Sequence, residues 1–358
     1  MINKLHRLLA LVAVFSSLAE TVYGNPVEVR GGKTKCKRPA KRQAWHTLNN
    51  SQKKAYLNAE VCVMKTPAQI QLPGVRTAYD VLVSIHQLHA LTIHSTGVFL
   101  PWHRWYLDLH ESLLRSCGYS GATPYWDEAK DGKLAEIKKS AVFAPNTKLS
   151  FGSEGSVAPN FCLTDGPFVG YQNSVGPWWK LTDQCIGRTF MGNPLRENNA
   201  STVAAGCMNL KTYAEAWECI YLIPHVTGHI AISSLRGDAS TSPSDPVFWL
   251  HHAYVDKLWF DWQEKDPKNR NLAVGGPNKQ DPAVGFIEIP GDAEWERINL
   301  FQSEPTAAQK ALIPAGDEGD GGNVTTLNHI FTSYGLVPDV RLREYMDTRA
   351  GGLCYEYV

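Results

Sequence analysis

Ser244-Asp-Pro-Val-Phe-Trp-Leu-His251-His252-Ala-Tyr-Val-Asp256-Lys-Leu-Trp-Phe-Asp261 is the stretch whose reading decides the fold. Ser244 or Asp245 caps the first free N–H groups of a helix, and Pro246 suits a first turn in which its missing N–H costs nothing. Continued to the Asp266-Pro267 stop, this helix places Asp256 one turn beyond His252 on the same face, within reach of its ring. A carboxylate so placed fixes the tautomer of an imidazole whose other nitrogen binds a metal. Adjacent residues point about 100° apart around a helix, so one of His251 and His252 is the expected ligand and the other its neighbour.

A second histidine site lies upstream. Pro224-His225-Val226-Thr-Gly-His229 sets two imidazoles at i and i+4, the spacing that chelates one metal from one helical face. No Glu follows the first His, so this is not the zinc-protease signature, and its third ligand comes from elsewhere. Earlier still stands Ser84-Ile-His86-Gln-Leu-His89-Ala-Leu-Thr-Ile-His94-Ser-Thr-Gly97-Val-Phe-Leu-Pro101-Trp-His103-Arg, running on to His110. On one straight helix His86 and His94 would be about 12 Å apart along the axis, too far to share an ion. Ser95-Thr96-Gly97 breaks the pattern, and Pro101 starts a new helix with an apolar stripe of Trp102, Tyr106, Leu109 and Leu113 that closes at Cys117-Gly118. Helix, connection and helix thereby offer three converging imidazoles.

Composition narrows the function classes. Lys plus Arg equals Asp plus Glu at 35 each, which leaves no basic field for nucleic acid or an anionic membrane. Lys4 and Arg7 precede an apolar run, Leu8 to Ala19, too short to span a bilayer, so residues 1–24 read as a secretory signal cleaved after Ala19 or Gly24. All eight cysteines follow it, an even number that suits disulfides, although eight allow on the order of a hundred pairings. Sequons at Asn49, Asn199 and Asn323 fit export. Residues 25–358 are long enough for a large core and read as a single domain without internal repeats. Ser51 is the expected N-cap of a packing helix near the start of this domain.

These motifs together resemble the tyrosinase and catechol oxidase family, the type-3 copper proteins that include mollusc haemocyanin units. The resemblance rests on the His86, His94, His103 spacing with Leu-Pro-Trp-His103-Arg, on Pro124-Tyr-Trp-Asp127, on His225-x-x-x-His229, on Asp245-Pro-Val-Phe-Trp-Leu-His-His252-x-x-x-Asp256, and on Tyr355-Glu-Tyr357. It implies copper A on His86, His94 and His103, the eight-residue interval to His94 selecting His86 over His89. It implies copper B on His225, His229 and His252, with Asp256 behind them and His251 not a ligand. His6, His46, His89, His110 and His329 match no ligand position. The implied fold is mainly α: an antiparallel four-helix bundle around a dicopper centre, with long disulfide-stabilised loops such as Asp131 to Asn209.

The implied activity is a secreted copper oxidoreductase that uses O2 to oxidise o-diphenols or o-aminophenols to o-quinones. Two departures bear on monophenol hydroxylation. Thr92 stands where several fungal relatives have a thioether-forming Cys, so no such crosslink is expected. Val226 follows the first copper B histidine, where hydroxylating relatives often have Asn; Glu215 and Glu218 are the candidates to orient a water in its place. Other relatives carry a C-terminal domain that plugs the site; this sequence ends at the tyrosine motif, so no such lid is expected unless it is processed from a longer form, and residues 233–243 are the expected gate. A reversible oxygen carrier would use the same six histidines, but related carriers shield the site with neighbouring domains. A catalytically silent secreted copper-binding protein is a further alternative, whereas a copper-free structural one would be expected to have lost ligands, and here all six positions are filled.

Overall fold

The computed structural model describes residues 36–133, 137–145, 147–156, 160–191, 201–232, 238–280, 303–350 and 352–358. The expected signal segment and the sequon at Asn199 lie outside them, and the expected gate does so in part. Five longer helices carry the architecture: α1 (Asn50–Lys65), α2 (Ala78–Ile93), α3 (Phe99–Ser116), α6 (Tyr213–Ile220) continuing through a π turn (Tyr221–His225) into α7 (Val226–Ile232), and α8 (Val247–Glu264). A short helix, α4 (Glu128–Asp131), follows the Pro124-Tyr-Trp-Asp127 motif, and α5 (Ser201–Asn209) precedes α6.

α2 and α3 are buried around nearly their whole circumference, polar residues included. A helix so enclosed lies at the centre of the bundle and not at its rim. The expected α3 stripe is therefore only part of a helix whose every residue from Phe99 to Leu114 is buried. α2 begins at a reciprocal cap. Thr77 Oγ1 accepts from the Asp80 amide at 3.0 Å, and Asp80 Oδ2 accepts from the Thr77 amide at 3.0 Å. Thr77→Ala is expected to lower stability by about 1 kcal/mol in urea unfolding. Helix α2 ends where the sequence predicts, with His94 at its C-cap and Ser95 in the left-handed region at φ 55°.

Three helix starts differ from expectation. α3 begins at Phe99, with Val98 at its N-cap, two residues before Pro101. Asn49 caps α1 in place of Ser51, reciprocally with Gln52. Pro246 occupies the N-cap of α8 after a 3-10 turn (Ser242–Ser244), and no side chain caps that position. Asp245 accepts from the Val247 amide at 3.1 Å, but its carboxylate is otherwise committed to Arg188, at 2.9 and 2.8 Å. Arg188 Nη1 also donates to the carbonyls of Phe151 and Gly152, which fastens the long segment after α4 to the start of α8.

Sheet is minor. β1 (Ala40–Arg42) pairs in parallel with β2 (Tyr355–Tyr357), Arg42 opposite Tyr357. Four disulfides settle the open pairing: Cys36–Cys354, Cys62–Cys117, Cys162–Cys185 and Cys207–Cys219. The first joins the two ends of the described chain across 318 residues and the last clasps α5 to α6. The third lies between Asp131 and α5, where the described residues form only short elements, as expected for a loop ordered by a crosslink. No helix among the described residues is long and apolar enough to cross a membrane.

Candidate metal centre

The break between α2 and α3 exists because of close backbone approach at Gly97. A Cβ there would lie 1.8 Å from the Gly275 carbonyl oxygen; Gly97 N donates to Pro277 O at 2.7 Å and its carbonyl accepts from Tyr213 Oη at 2.6 Å. The chain is so pinned between His94 and His103, and His86, His94 and His103 come together as expected, their ring centroids 5.1 to 5.7 Å apart. The second half forms around the π turn. Pro224 has no N–H to continue an α-helix, and the Val226 amide reaches back to Tyr221 O over one extra residue. His225 at the end of this turn, His229 on α7 and His252 on α8 have ring centroids 4.6 to 5.2 Å apart. One metal-sized cluster contains His86, His94 and His103, and the other contains His225, His229, His251 and His252.

The trios face one another. His103 and His252 stack at 4.2 Å with ring planes 9° apart, and His94 lies 6.2 Å from His225. Backbone carbonyls set most of the tautomers. His86 Nδ1 lies 2.8 Å from Ser240 O, His94 Nδ1 2.9 Å from Ala90 O, His103 Nδ1 2.8 Å from Phe99 O and His225 Nδ1 3.2 Å from Tyr221 O. A carbonyl only accepts, so each Nδ1 carries the proton and each Nε2 keeps its lone pair. The Nε2 atoms of His86, His103 and His225 are buried with no hydrogen-bond partner among the described residues, and His229 Nε2 approaches His252 Nε2 at 3.2 Å. Orphaned buried acceptors and a nitrogen pair at this separation are what a metal satisfies.

Burial first, and then neighbouring imidazoles, holds His86, His103, His225, His229 and His252 well below the ordinary imidazole range, while burial takes His94 down to about 4. Near pH 7 all six are neutral donors. Imidazole-only, thiolate-free sets of this kind suit copper, which stands at the top of the divalent affinity order. The residues present therefore fit the implied ions.

Three expectations need correction. Asp256 does not touch His252: its oxygens take hydrogen bonds from Arg104, Arg42, Tyr355 and Tyr357, and His252 Nδ1 is buried without a partner among the described residues. Two arginines outcompete a neutral imidazole for one carboxylate. Glu215 and Glu218 both face solvent, Glu215 closing the N-terminal cap of α6 on Thr212, so neither orients a water at the site. Val226 is half-buried beside His225. The other histidines stay apart: His89 bonds to Thr332 O, His110 stacks on Trp249, and His329 pairs with Asp320. Thr92 bonds to His89 O, and every cysteine sits in a disulfide.

Sequence reasoning missed two supports. Glu128 lies 2.5 Å from His251 Nδ1, although its place directly after Pro124-Tyr-Trp-Asp127 was a signal. Asp238 accepts from the amides of Ser240 and Thr241 and thereby holds the carbonyl that orients His86; no spacing rule singles it out.

A helical bundle that brings six imidazoles, five of them buried, into two facing trios defines the type-3 copper class. Residues 76–265 match the family model for the common central domain of tyrosinase. Tyrosinase-like protein phomQ1 of Diaporthe leptostromiformis is 31% identical over 349 residues, covering 90% of this chain and 78% of that protein. N-acetyl-6-hydroxytryptophan oxidase ivoB of Emericella nidulans is 28% identical, covering 88% of this chain and 91% of that one. Among solved structures, a mutant polyphenol oxidase from Thermothelomyces thermophila superposes with TM-score 0.67 at 23% identity, with 89% of each chain covered. An octopus hemocyanin functional unit shares the fold at TM-score 0.52 and 17% identity, covering 89% of this chain and 68% of that one. The chain belongs to the tyrosinase family of type-3 copper proteins.

Proposed function

We propose that this protein is a secreted copper-dependent phenol oxidase that uses O2 to oxidise o-diphenols or o-aminophenols to o-quinones, with His86, His94 and His103 holding one copper and His225, His229 and His252 the other. The observation that carries this reading is the pair of facing trios, in which the buried Nε2 atoms of His86, His103 and His225 lack partners among the described residues. When bound, the copper pair supplies electron exchange between O2 and the phenol. The chain's own contribution is positional. Carbonyls of Ser240, Ala90, Phe99 and Tyr221 keep the Nε2 lone pairs of His86, His94, His103 and His225 available, and the buried walls of Phe99 and Phe248 exclude water. His229 is the one imidazole of the six that is partly exposed, which supports substrate approach from its side. Export is supported by the four disulfides.

Val226 offers no hydrogen-bonding side chain beside His225, and Glu215 and Glu218 point away, so little in this part of the site assists removal of a phenolic proton. Diphenol oxidation is therefore the main activity and monophenol ortho-hydroxylation the minor one. Metal analysis and assays with catechol and tyrosine test this: two coppers per chain are expected, with catechol turned over much faster than tyrosine. Efficient tyrosine turnover with a short lag overturns the preference, and reversible O2 uptake without catechol turnover makes the protein a carrier. Val226→Asn is expected to raise tyrosine turnover severalfold, on the order of 1 kcal/mol in the barrier, with little change for catechol.

A further inference from the structure

The second cluster contains a fourth histidine. His251 is buried, its ring stacks on His225 at 5.6 Å and meets His229 edge-on at 4.4 Å, and its Nδ1 lies 2.5 Å from Glu128 Oε1. Glu128 is wholly buried on the short helix α4, outside the four-helix bundle. The ring occupies space that α7 leaves open at one residue: a Cβ on Gly228 would lie 2.3 Å from His251 Cε1 and 2.8 Å from Glu128 Oε2. Gly228 lies between His225 and His229, and His251 is next to His252. The contact therefore joins the two helices that present the second trio.

We infer that Glu128 and His251 are positioning residues that set the spacing of α7 against α8, and with it the geometry of the second metal site; the inference rests on the reading that this trio holds an ion. The carboxylate fixes the Nδ1–H tautomer and ring orientation of His251. The ring then acts as a spacer against the backbone of α7 at Gly228, so that His225 and His229 approach His252 at one separation. The first trio, built on α2 and α3, has no part in this contact. A loss caused by breaking it falls on one ion only.

The test is copper content of the full chain after dialysis against graded chelator, with far-ultraviolet ellipticity and thermal unfolding of the metal-free protein as controls. Wild type is expected to hold two tight ions. Glu128→Leu is expected to weaken one of them about 10- to 100-fold, the usual effect of losing a partner behind a metal site. Glu128→Gln, whose amide oxygen still accepts from Nδ1–H, is expected to keep both tight, and Gly228→Ala, which displaces the ring with Glu128 intact, is expected to repeat the Glu128→Leu loss. Two tight ions in both Glu128→Leu and Gly228→Ala overturn the inference. So does loss of both ions together with a lowered unfolding midpoint in every variant, which marks a purely structural contact. Loss of an ion in His251→Phe but not in Glu128→Leu makes His251 a donor in its own right and overturns the pairing. A wild-type chain that binds no copper overturns the proposed function instead.

Discussion

A His252→Ala protein is expected to oxidise catechol at less than about one-hundredth of the wild-type rate while retaining one tightly bound copper. Losing a partner behind a metal ligand already costs about 10- to 100-fold, and removing a donor costs more. His252 is the imidazole through which the two halves meet: its ring stacks on His103 and its Nε2 lies 3.2 Å from His229 Nε2. The first trio is complete without it, so one ion should remain. Truncation also leaves a hole beside Phe248, whose ring centroid is 4.2 Å away, and destabilises the chain by a few kcal/mol at most, as about 2–5 kcal/mol is usual for large buried side chains. His89→Ala separates the two effects. It removes a buried imidazole of similar size outside the trios, and is expected to lower the unfolding midpoint while leaving catechol turnover largely intact. Turnover per chain and copper per chain, measured on both variants, decide the matter. If His252→Ala keeps two coppers and full turnover, His251 is the third donor of the second site.

How far the chain could be read without coordinates depended on whether a feature was local. The i, i+4 pair His225 and His229, the break at Ser95-Thr96-Gly97 and the new helix at Pro101 follow from spacing, proline and glycine rules that act within a few residues. The structure brings the corresponding side chains together. Assigning His251 and His252 by helical angle alone left a choice open, and the stacking of His252 on His103 bears on it only because α3 packs against α8. The partners of buried carboxylates are the least local feature of the chain. A helix does place Asp256 one turn from His252, but which of several buried cations takes a carboxylate is decided by chain segments up to 214 residues away. Glu128 reaches His251 across 123 residues, and no periodicity encodes that distance. The solvent-facing Glu215 was visible in principle, since Thr212-x-x-Glu215 is a capping box that commits the carboxylate to a helix end.

Replacing Asp256 is expected to be the most damaging change to stability away from the trios. The carboxylate joins α8 to three other elements: Arg104 of α3 donates to Oδ1 at 2.6 Å, and Arg42 of β1 with Tyr355 and Tyr357 of β2 donate to Oδ2 at 3.3, 2.6 and 2.6 Å. The guanidinium of Arg42 lies 3.6 Å over the Tyr355 ring and that of Arg104 lies 3.7 Å over Trp259, so neither has a route to water. Asp256→Ala strands two buried cations, and breaking a buried pair in this way costs about 3–5 kcal/mol. Glu111 compensates Arg42 in part, at 3.1 Å, while Arg104 keeps only neutral partners, Gln263 and the carbonyls of Tyr345 and Met346. The effect has a pH signature. Burial by itself would raise the Asp256 carboxyl, but Arg104, Arg42 and the two tyrosine hydroxyls outweigh it and hold it below the ordinary carboxylate range. A carboxylate lowered by folding contributes stability that is complete above its unfolded value, about 3.9, and is lost as pH falls through the lower folded value. The gap in urea midpoint between wild type and Asp256→Asn is therefore expected to be constant above about pH 5 and to narrow as the pH is taken towards about 2. A gap independent of pH over that interval would show that the charge of Asp256 is not what holds Arg104 and the terminal tyrosines to the bundle.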